Sequence, residues 1–386
     1  MVAPILSGPA TALARTPGRG KTTILNARAA TPPPQAPPAT FDAVLQAGLD
    51  RNLPGIALRV ERGDEVVFDG AAGLASREHQ TPLTPADRFG VGSITKPFTA
   101  VLVLQLVDEE VLALDDTVSR WLDDPVVARI PYVDRITLRQ LLNHTSGVYD
   151  YFDDDSPFWQ DAYFGPGADW SRVWTPLEVL AYADGAKHAP YFAPGEGSHY
   201  SNTAYVLLGL IVERAAGQAL ADRLHARILD PLGLADTFAA TEPVRGGKAD
   251  AYQPIDGELV DVSAIDLSSL GTAGGMVSTT RDVARFADAL FGGELLRPAT
   301  LAQMLTFIPS GRPGFEAGLG VMRFQTPEGA LIGHPGDGAG SGGRMYRLAE
   351  ADLTLVLLAN SGDEEAIDAV FADVVRVAVA AQTPAD

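Results

Sequence analysis

The chain of 386 residues contains no cysteine, which excludes disulfides, thiol nucleophiles and zinc–thiolate sites. Basic residues are outnumbered by acidic ones, 29 against 49, and the formal charge of −20 repels phosphate backbones and anionic membrane surfaces. No apolar run is long enough to cross a bilayer. We therefore expect no nucleic-acid partner and no membrane span. The length fits one large domain or two intertwined ones.

The N-terminal stretch differs from the rest in composition. Residues 1–39 are rich in Pro, Ala, Thr and Gly, which predicts a flexible, poorly packed tail. Residues 1–14 carry no basic residue, and Ser7, Gly8 and Pro9 interrupt their apolar run, unlike a secretory signal. We therefore expect a cytoplasmic protein, with secretion as the alternative. The folded part is expected over residues 40–386.

Hydrophobic periodicity places strands at both ends of the folded part and helices between them. This pattern predicts an α+β fold, in which N- and C-terminal segments build one antiparallel sheet flanked by helices. An all-helical insertion is expected at about 115–265. The predicted helices lie at 41–51, 93–112, 137–143, 202–216, 219–229, 279–292 and 363–381, and the strands at 55–60, 65–68, 317–324, 329–334, 342–348 and 353–359.

The first motif is Ser93-Ile94-Thr95-Lys96. A hydroxyl is a weak nucleophile until a base takes its proton. On a helix, positions i and i+3 share a face, so Lys96 can place its amine beside the Ser93 hydroxyl. A buried lysine loses pKa and can act as that base. The alternative is a capping serine beside a solvated lysine.

The second motif is Tyr200-Ser201-Asn202, directly before a strongly helical run. Tyr200 can carry a proton if a neighbouring cation lowers its pKa. Asn202 can accept from Lys96 and donate to a substrate carbonyl. The alternative is an ordinary helix cap, with Tyr200 serving only in packing.

The third motif runs from Gly333 to Asp337 between two strand-like segments and contains His334-Pro335-Gly336. Gly336 would let substrate approach the strand backbone closely, and His334 would line the site. The backbone N–H groups of Asp337 and Ser93 could form an oxyanion hole. The alternative is a turn with an exposed histidine.

With its three motifs in this order, about 100 residues apart, the chain resembles the serine β-lactamase-like superfamily. Within that superfamily it resembles the branch that contains class C β-lactamases, D-Ala-D-Ala carboxypeptidases, D-aminopeptidases and esterases. The resemblance spans about residues 40–380 and includes the runs 88–93, 141–147 and 274–279. It implies a covalent acyl-enzyme on Ser93, proton transfer by Lys96 and Tyr200, a small-molecule acyl substrate, and no metal or organic cofactor.

The chain departs from the carboxypeptidase pattern at the groups that would hold a terminal carboxylate. Met322 stands where those enzymes carry an arginine, and strand alternation points the adjacent Arg323 to the other face. Asp337 replaces a hydroxyl residue and would repel a carboxylate. A wall tryptophan is replaced near Ser269 or Leu270, which would widen the cleft. These changes favour a neutral substrate, or one with an amine that pairs with Asp337; a solvated turn is the alternative role of Asp337.

An aromatic-rich loop at residues 149–174 has two interpretations. Its side chains either form local core, which is the commoner case, or wall the substrate site.

Three functions remain open at this level. The first is a hydrolase of small esters, amides or D-amino-acid peptides, and the second is a transacylase that passes the acyl group from an ester to an amine. Product analysis of a methyl ester with added amines separates these two. The third is a non-catalytic binding protein, which would form no covalent adduct. Neither the oligomeric state nor the choice of Lys96 or Tyr200 as acylation base follows from the sequence.

Overall fold

A computed structural model describes residues 37–153, 155–311 and 314–381. The tail predicted for residues 1–39 lies outside the described residues, except for its last three. The helices of the described part are α1 Phe41–Asp50, α2 Thr95–Asp108, α3 Val118–Trp121, α4 Leu138–Leu142, α5 Pro176–Leu180, α6 Asn202–Ala216, α7 Leu220–Leu224, α8 Asp230–Leu232, α9 Gly271–Gly274, α10 Thr280–Phe291, α11 Pro298–Met304 and α12 Glu364–Ala380. The strands are β1 Gly55–Arg62, β2 Glu65–Ser76, β3 Thr81–Pro82, β4 Phe89–Gly90, β5 Tyr252–Ile255, β6 Glu258–Asp261, β7 Val277–Ser278, β8 Ile308–Pro309, β9 Phe315–Ala317, β10 Met322–Thr326, β11 Gly329–Gly338, β12 Ser341–Leu348 and β13 Leu353–Ala359.

Both ends of the chain build the main sheet, as predicted. Its nine strands run in the order β3-β2-β1-β13-β12-β11-β10-β9-β8, and the N-terminal β1 pairs antiparallel with the C-terminal β13. Every residue of β13 is buried, because α10 covers one face of the sheet and α12 the other. A strand covered on both faces reads as a continuous apolar run, which is the pattern of residues 353–359.

The prediction of an all-helical insertion is wrong at its C-terminal end. Strands β5 and β6 form a small hairpin there, separate from the main sheet. Its turn consists of Asp256 and Gly257, which both have positive φ, 51° and 84°. An Asp-Gly pair favours this tight two-residue turn, so the missed signal was local turn chemistry.

The strand predicted at 317–324 is instead two strands joined by a turn. Gly318 and Val321 close this turn through a backbone hydrogen bond of 2.8 Å. Gly320 has a φ of 87°, and a Cβ there would lie 2.3 Å from Cβ of Ala100 on α2. Close packing against α2 therefore requires glycine at this position and divides the segment into β9 and β10.

Helix α2 runs through the interior and is buried on all sides from Thr95 to Leu106. A helix that is apolar all round belongs in a core, and this burial fixes the position of its N-terminus beside β11. Within residues 37–381 as described, no single helix has the length and apolarity needed to cross a membrane. One bent pair of segments, Asn202–Ala216 and Leu220–Leu232, has the length and apolar composition of a membrane span when the two are taken together, by length and composition only.

Candidate active site

The turn before α2 lies directly against the end of β11. Gly92 has a φ of 53°, and a Cβ there would lie 2.7–2.8 Å from backbone atoms of Asp337. A Cβ on Gly336 would lie 2.0 Å from the carbonyl oxygen of Val91. The space at Gly336 is therefore filled by this turn, and not by substrate as the sequence suggested. The two glycines bring Ser93 next to β11.

Ser93 and Lys96 meet as their spacing predicts. The amine of Lys96 donates to Ser93 Oγ over 2.9 Å, to Asn202 Oδ1 over 2.7 Å and to the carbonyl oxygen of Ala273 over 2.7 Å. The Lys96 side chain is fully buried, and this burial lowers its pKa to about 7, although the carboxylates of Asp150 and Asp337 act in the opposite direction. About half of the amine is therefore neutral near pH 7.

Asp150 fixes the orientation of Asn202. Its Oδ1 accepts from the Asn202 backbone N–H over 3.0 Å, and its Oδ2 accepts from the Asn202 side-chain amide over 2.9 Å. Because the amide nitrogen is directed to Asp150, the amide oxygen must face Lys96, which only donates when protonated. Burial raises the pKa of Asp150, partly offset by these hydrogen bonds and by Lys96.

Tyr200 lies over the lysine, and its phenol interacts with the Ser93 side chain. Its ring centroid is 4.7 Å from the Lys96 amine. The expectation that a cation lowers the pKa of Tyr200 is wrong, because burial raises this pKa well above its ordinary value. The phenol therefore keeps its proton over the physiological pH range.

His334 is buried and not exposed in a turn, with 1% of its surface accessible. Its Nδ1 donates to the backbone carbonyl of Pro335, which can only accept. Burial first, and then the charges of Lys96 and Arg344, lower its pKa to about 3, so the ring is neutral and Nε2 is an acceptor. Among the described residues Nε2 has no hydrogen-bond partner.

A cavity of about 290 Å³ opens at Ser93. Its described lining includes no lysine or arginine; it consists of Ser93, His144, Phe152, Tyr200, Asn202, Leu270, Gly274, Ser310, Met322, His334, Pro335, Asp337 and Glu364. Leu270 is thus the residue at the cavity wall, whereas the Ser269 hydroxyl is buried against Tyr163 at 2.8 Å. The cavity can accept a small acyl group without a cation to bind a carboxylate.

The predicted register at Met322 agrees with the structure, since Met322 lines the cavity and Arg323 does not. Arg323 instead pairs with Glu316 on β9 at 2.7 Å and lies over the ring of Phe307. The Arg323 guanidinium is therefore engaged in the sheet, away from the cavity.

The solvated-turn alternative for Asp337 is wrong, because its carboxylate lines the cavity and pairs with an arginine of the neighbouring strand. Arg344 on β12 donates to Asp337 Oδ1 over 2.8 Å and to Asp368 on α12 over 2.7 Å. The Arg344 side chain is 3% exposed. Asp337 is thus neither a solvated turn residue nor an isolated carboxylate.

Most of the aromatic loop forms local core, as the commoner interpretation expected. Its buried members are Tyr149, Tyr151, Phe158, Tyr163 and Trp174. Phe152 differs, because it lines the cavity. One residue of the loop therefore contacts the site while the others support it.

Sequence reasoning assigned no role to Asp150, His144 or Glu364. His144 is buried and its Nδ1 accepts from the backbone N–H of Ser201, which holds the segment between Tyr200 and Asn202 in place. Asp150 and His144 both lie in or next to runs used for the family resemblance, which was the available signal. Glu364 begins α12, and no motif pointed to it.

The chain is similar in sequence to several known proteins. A family model described as Beta-lactamase matches residues 41–380. Penicillin-binding protein 4* of Bacillus subtilis is 27% identical over 332 residues, 82% of this chain and 70% of its own. Esterase EstB of Burkholderia gladioli is 38% identical over 214 residues, 54% of this chain and about half, 53%, of its own length.

The fold is also similar to that of solved enzymes. The crystal structure of a D-stereospecific amidohydrolase from Streptomyces sp. superposes with a TM-score of 0.74 and 34% sequence identity, covering 84% of this chain and 95% of that one. The likeness in fold therefore extends over most of this chain.

Proposed function

This chain belongs to the Beta-lactamase family and is a serine hydrolase of that superfamily, and we propose that Ser93 is its nucleophile. Ser93 Oγ attacks the carbonyl carbon of an ester or amide, and the bond to the leaving group breaks. Water then attacks the acyl-enzyme and releases the acid, which restores the Ser93 hydroxyl.

The observation that carries this proposal is the anchoring of the Lys96 amine. Two of its three partners, Asn202 Oδ1 and the Ala273 carbonyl, can only accept hydrogen bonds. The neutral amine has two N–H groups, and both are used by these partners. Its lone pair therefore faces Ser93 Oγ, 2.9 Å away, and Lys96 takes the serine proton as general base.

Tyr200 acts as a proton carrier between Ser93 and the leaving group. Its raised pKa keeps the phenol protonated, so it donates a hydrogen bond and does not begin as a base. Tyr200 and Ser93 line the same cavity, and the interaction between their side chains places the phenol near the attacking oxygen. The leaving group then receives a proton from Tyr200, which Lys96 replenishes.

The oxyanion hole is proposed at the contact between the α2 turn and β11. The backbone N–H groups of Ser93 and Asp337 are the donors. Gly92 supports this assignment, because its Cα lies so close to the Asp337 backbone that a Cβ would not fit. Two fixed backbone donors stabilise the negative oxygen that develops during attack.

The substrate that this cavity favours is a neutral or amine-bearing ester or amide of D-amino-acid type, and not a peptide with a free terminal carboxylate. Met322 supplies no positive charge, and His334 is neutral. Relatives named as a D-stereospecific amidohydrolase, a D-aminopeptidase and an esterase support the same substrate class.

Introducing an arginine at the cavity wall tests this assignment. Met322→Arg is expected to raise kcat/KM for a peptide ending in a free D-Ala carboxylate about 10-fold or more relative to its amide, because a new ion pair forms. The measurement compares acid and amide forms of one peptide in wild type and variant. Met322→Leu is the matched control.

A wild-type enzyme that already prefers the free acid would contradict the proposed substrate class. Because Arg312 lies outside the described residues, Arg312→Ala is assayed in parallel to determine whether that side chain contributes to any such preference.

Asp150 is proposed as a positioning residue for Asn202 and, through it, for Lys96. Asp150→Asn is expected to lower kcat/KM about 10- to 100-fold. This is the effect of removing a hydrogen-bond partner that orients a metal-ligating side chain, and Asp150 orients Asn202 in the same way. Because the Asp150 carboxylate raises the Lys96 pKa, its removal should also shift the rising limb of the pH profile to lower pH. Asp155→Asn, at an exposed carboxylate of the same loop, is the control.

A lower rate with an unchanged pH profile would show that Asp150 serves only the local fold.

A further inference from the structure

A second cavity, of about 490 Å³, adjoins the active-site cavity between the β10–β12 part of the sheet and α12. Pro335, Asp337 and Glu364 line both cavities. β10 pairs with β11 only as far as Gly333, so the remaining edge of β11 has no partner among the described strands. A substrate held at Ser93 can extend across this edge.

The floor of the second cavity is aromatic and continuous. The ring centroid of Phe324 lies 5.2 Å from that of Phe315 and 5.7 Å from that of Tyr346. Tyr346 in turn lies 5.4 Å from Phe371 on α12. All four rings line the cavity. Phe315 and Phe324 are partly exposed, so their rings can pack against an apolar group and attract a cation to their faces, whereas Tyr346 and Phe371 are buried.

The rim of the second cavity carries mainly negative charge. Four carboxylates line it: Glu328, Asp337, Glu364 and Asp368. Of its two arginines, Arg344 is held by two of these four carboxylates, Asp337 and Asp368. Arg376 pairs with Asp373 through Nη2, while its Nη1 has no partner among the described residues. Four carboxylates against two guanidiniums leave the lining net negative, so a positively charged ligand is favoured over a negative one.

We propose that the second cavity binds a cationic apolar group of the substrate, such as a quaternary ammonium or guanidinium on an aromatic or aliphatic body. This inference rests on the proposed function, because the group is carried by the ester or amide that acylates Ser93. It extends the substrate class to molecules with a positive charge remote from the scissile carbonyl.

Two isosteric pairs of esters test the proposal. One pair carries the charge on the alcohol side: 4-(trimethylammonio)benzyl acetate and 4-tert-butylbenzyl acetate. The other carries it on the acyl side: the phenyl esters of 4-(trimethylammonio)phenylacetic and 4-tert-butylphenylacetic acids. We expect kcat/KM to favour the cation about 10-fold in one pair, which identifies the side that enters the cavity. The preference should decrease at high salt.

Two exposed residues that line the second cavity, Ala372 and Gln325, can be substituted without changing a catalytic residue. Ala372→Trp fills the cavity from α12, and Ala380→Trp, at another exposed alanine of the same helix, is its control. We expect Ala372→Trp alone to remove most of the cation preference, with phenyl acetate hydrolysis unchanged. At the exposed Gln325, Gln325→Lys should weaken the preference and Gln325→Glu should strengthen it.

The possible outcomes separate the two proposals. Equal use of both members of both pairs, with phenyl acetate still hydrolysed through Ser93, overturns the second cavity alone. A preference that survives both Ala372→Trp and Gln325→Lys also overturns it. If wild type hydrolyses no ester and Ser93 forms no adduct, the proposed function itself fails.

Discussion

Replacement of Ser93 by alanine is expected to lower kcat/KM at least ~10³-fold on any ester or amide that the wild-type enzyme cleaves. The reason is that the acyl-enzyme cannot form without the Oγ atom, so binding and oxyanion contacts alone remain. Intact-mass analysis after incubation with a fluorophosphonate should show one adduct on wild type and none on Ser93→Ala.

Ser119→Ala is the matched control for that experiment, because Ser119 is exposed on α3, far from motif residues in the chain. It should label as wild type does. An unlabelled wild-type protein would favour the non-catalytic binding alternative, and an adduct on Ser93→Ala would assign the nucleophile to another residue.

The second large effect concerns the protonation of Lys96. Because burial lowers its pKa to about 7, and only the neutral amine can accept the serine proton, kcat/KM should rise about 10-fold per pH unit below pH 7. It should level off above that pH. Neither Tyr200 nor His334 titrates between pH 5 and 9, because the pKa of Tyr200 is raised well above its ordinary value and the pKa of His334 is lowered to about 3. The measurement is the pH dependence of labelling or hydrolysis, from which the apparent pKa of the base is read.

Lys96→Met should flatten this profile and lower kcat/KM about 10²- to 10⁴-fold. The variant leaves Asn202 Oδ1 and the Ala273 carbonyl without their donor, which costs about 1–3 kcal/mol of stability, so thermal unfolding is measured alongside. Lys187→Met, at an exposed lysine, is the control. An apparent pKa near that of a tyrosine in the wild-type profile would reassign the base to Tyr200.

Local sequence patterns were sufficient to predict part of the candidate site. The three-residue spacing of Ser93 and Lys96 is a property of helical geometry alone, and the structure places the two side chains 2.9 Å apart. Strand alternation likewise predicted that Met322 and Arg323 diverge, and it located Met322 in the cavity. These predictions held because they depend on neighbours within a few residues.

Other features escaped prediction because their causes lie far apart in the chain. Lys96 and the Ala273 carbonyl are separated by 177 residues, and Asp150 and Asn202 by 52. The lowered pKa of Lys96 was expected only on the condition that the side chain is buried, and the raised pKa of Tyr200 was not expected; both follow from burial, which no local pattern determines. The Asp337–Arg344 pair required the register between β11 and β12.

The sequence by itself thus determined the family, the antiparallel sheet shared by both termini, and the set of side chains that could act on an acyl group. Only the tertiary structure decided the protonation states of those side chains, the orientation of Asn202 and the second cavity beside β11. The physical reason is that reactivity and specificity depend on desolvation and on contacts between distant segments, and both exist only once the chain is packed.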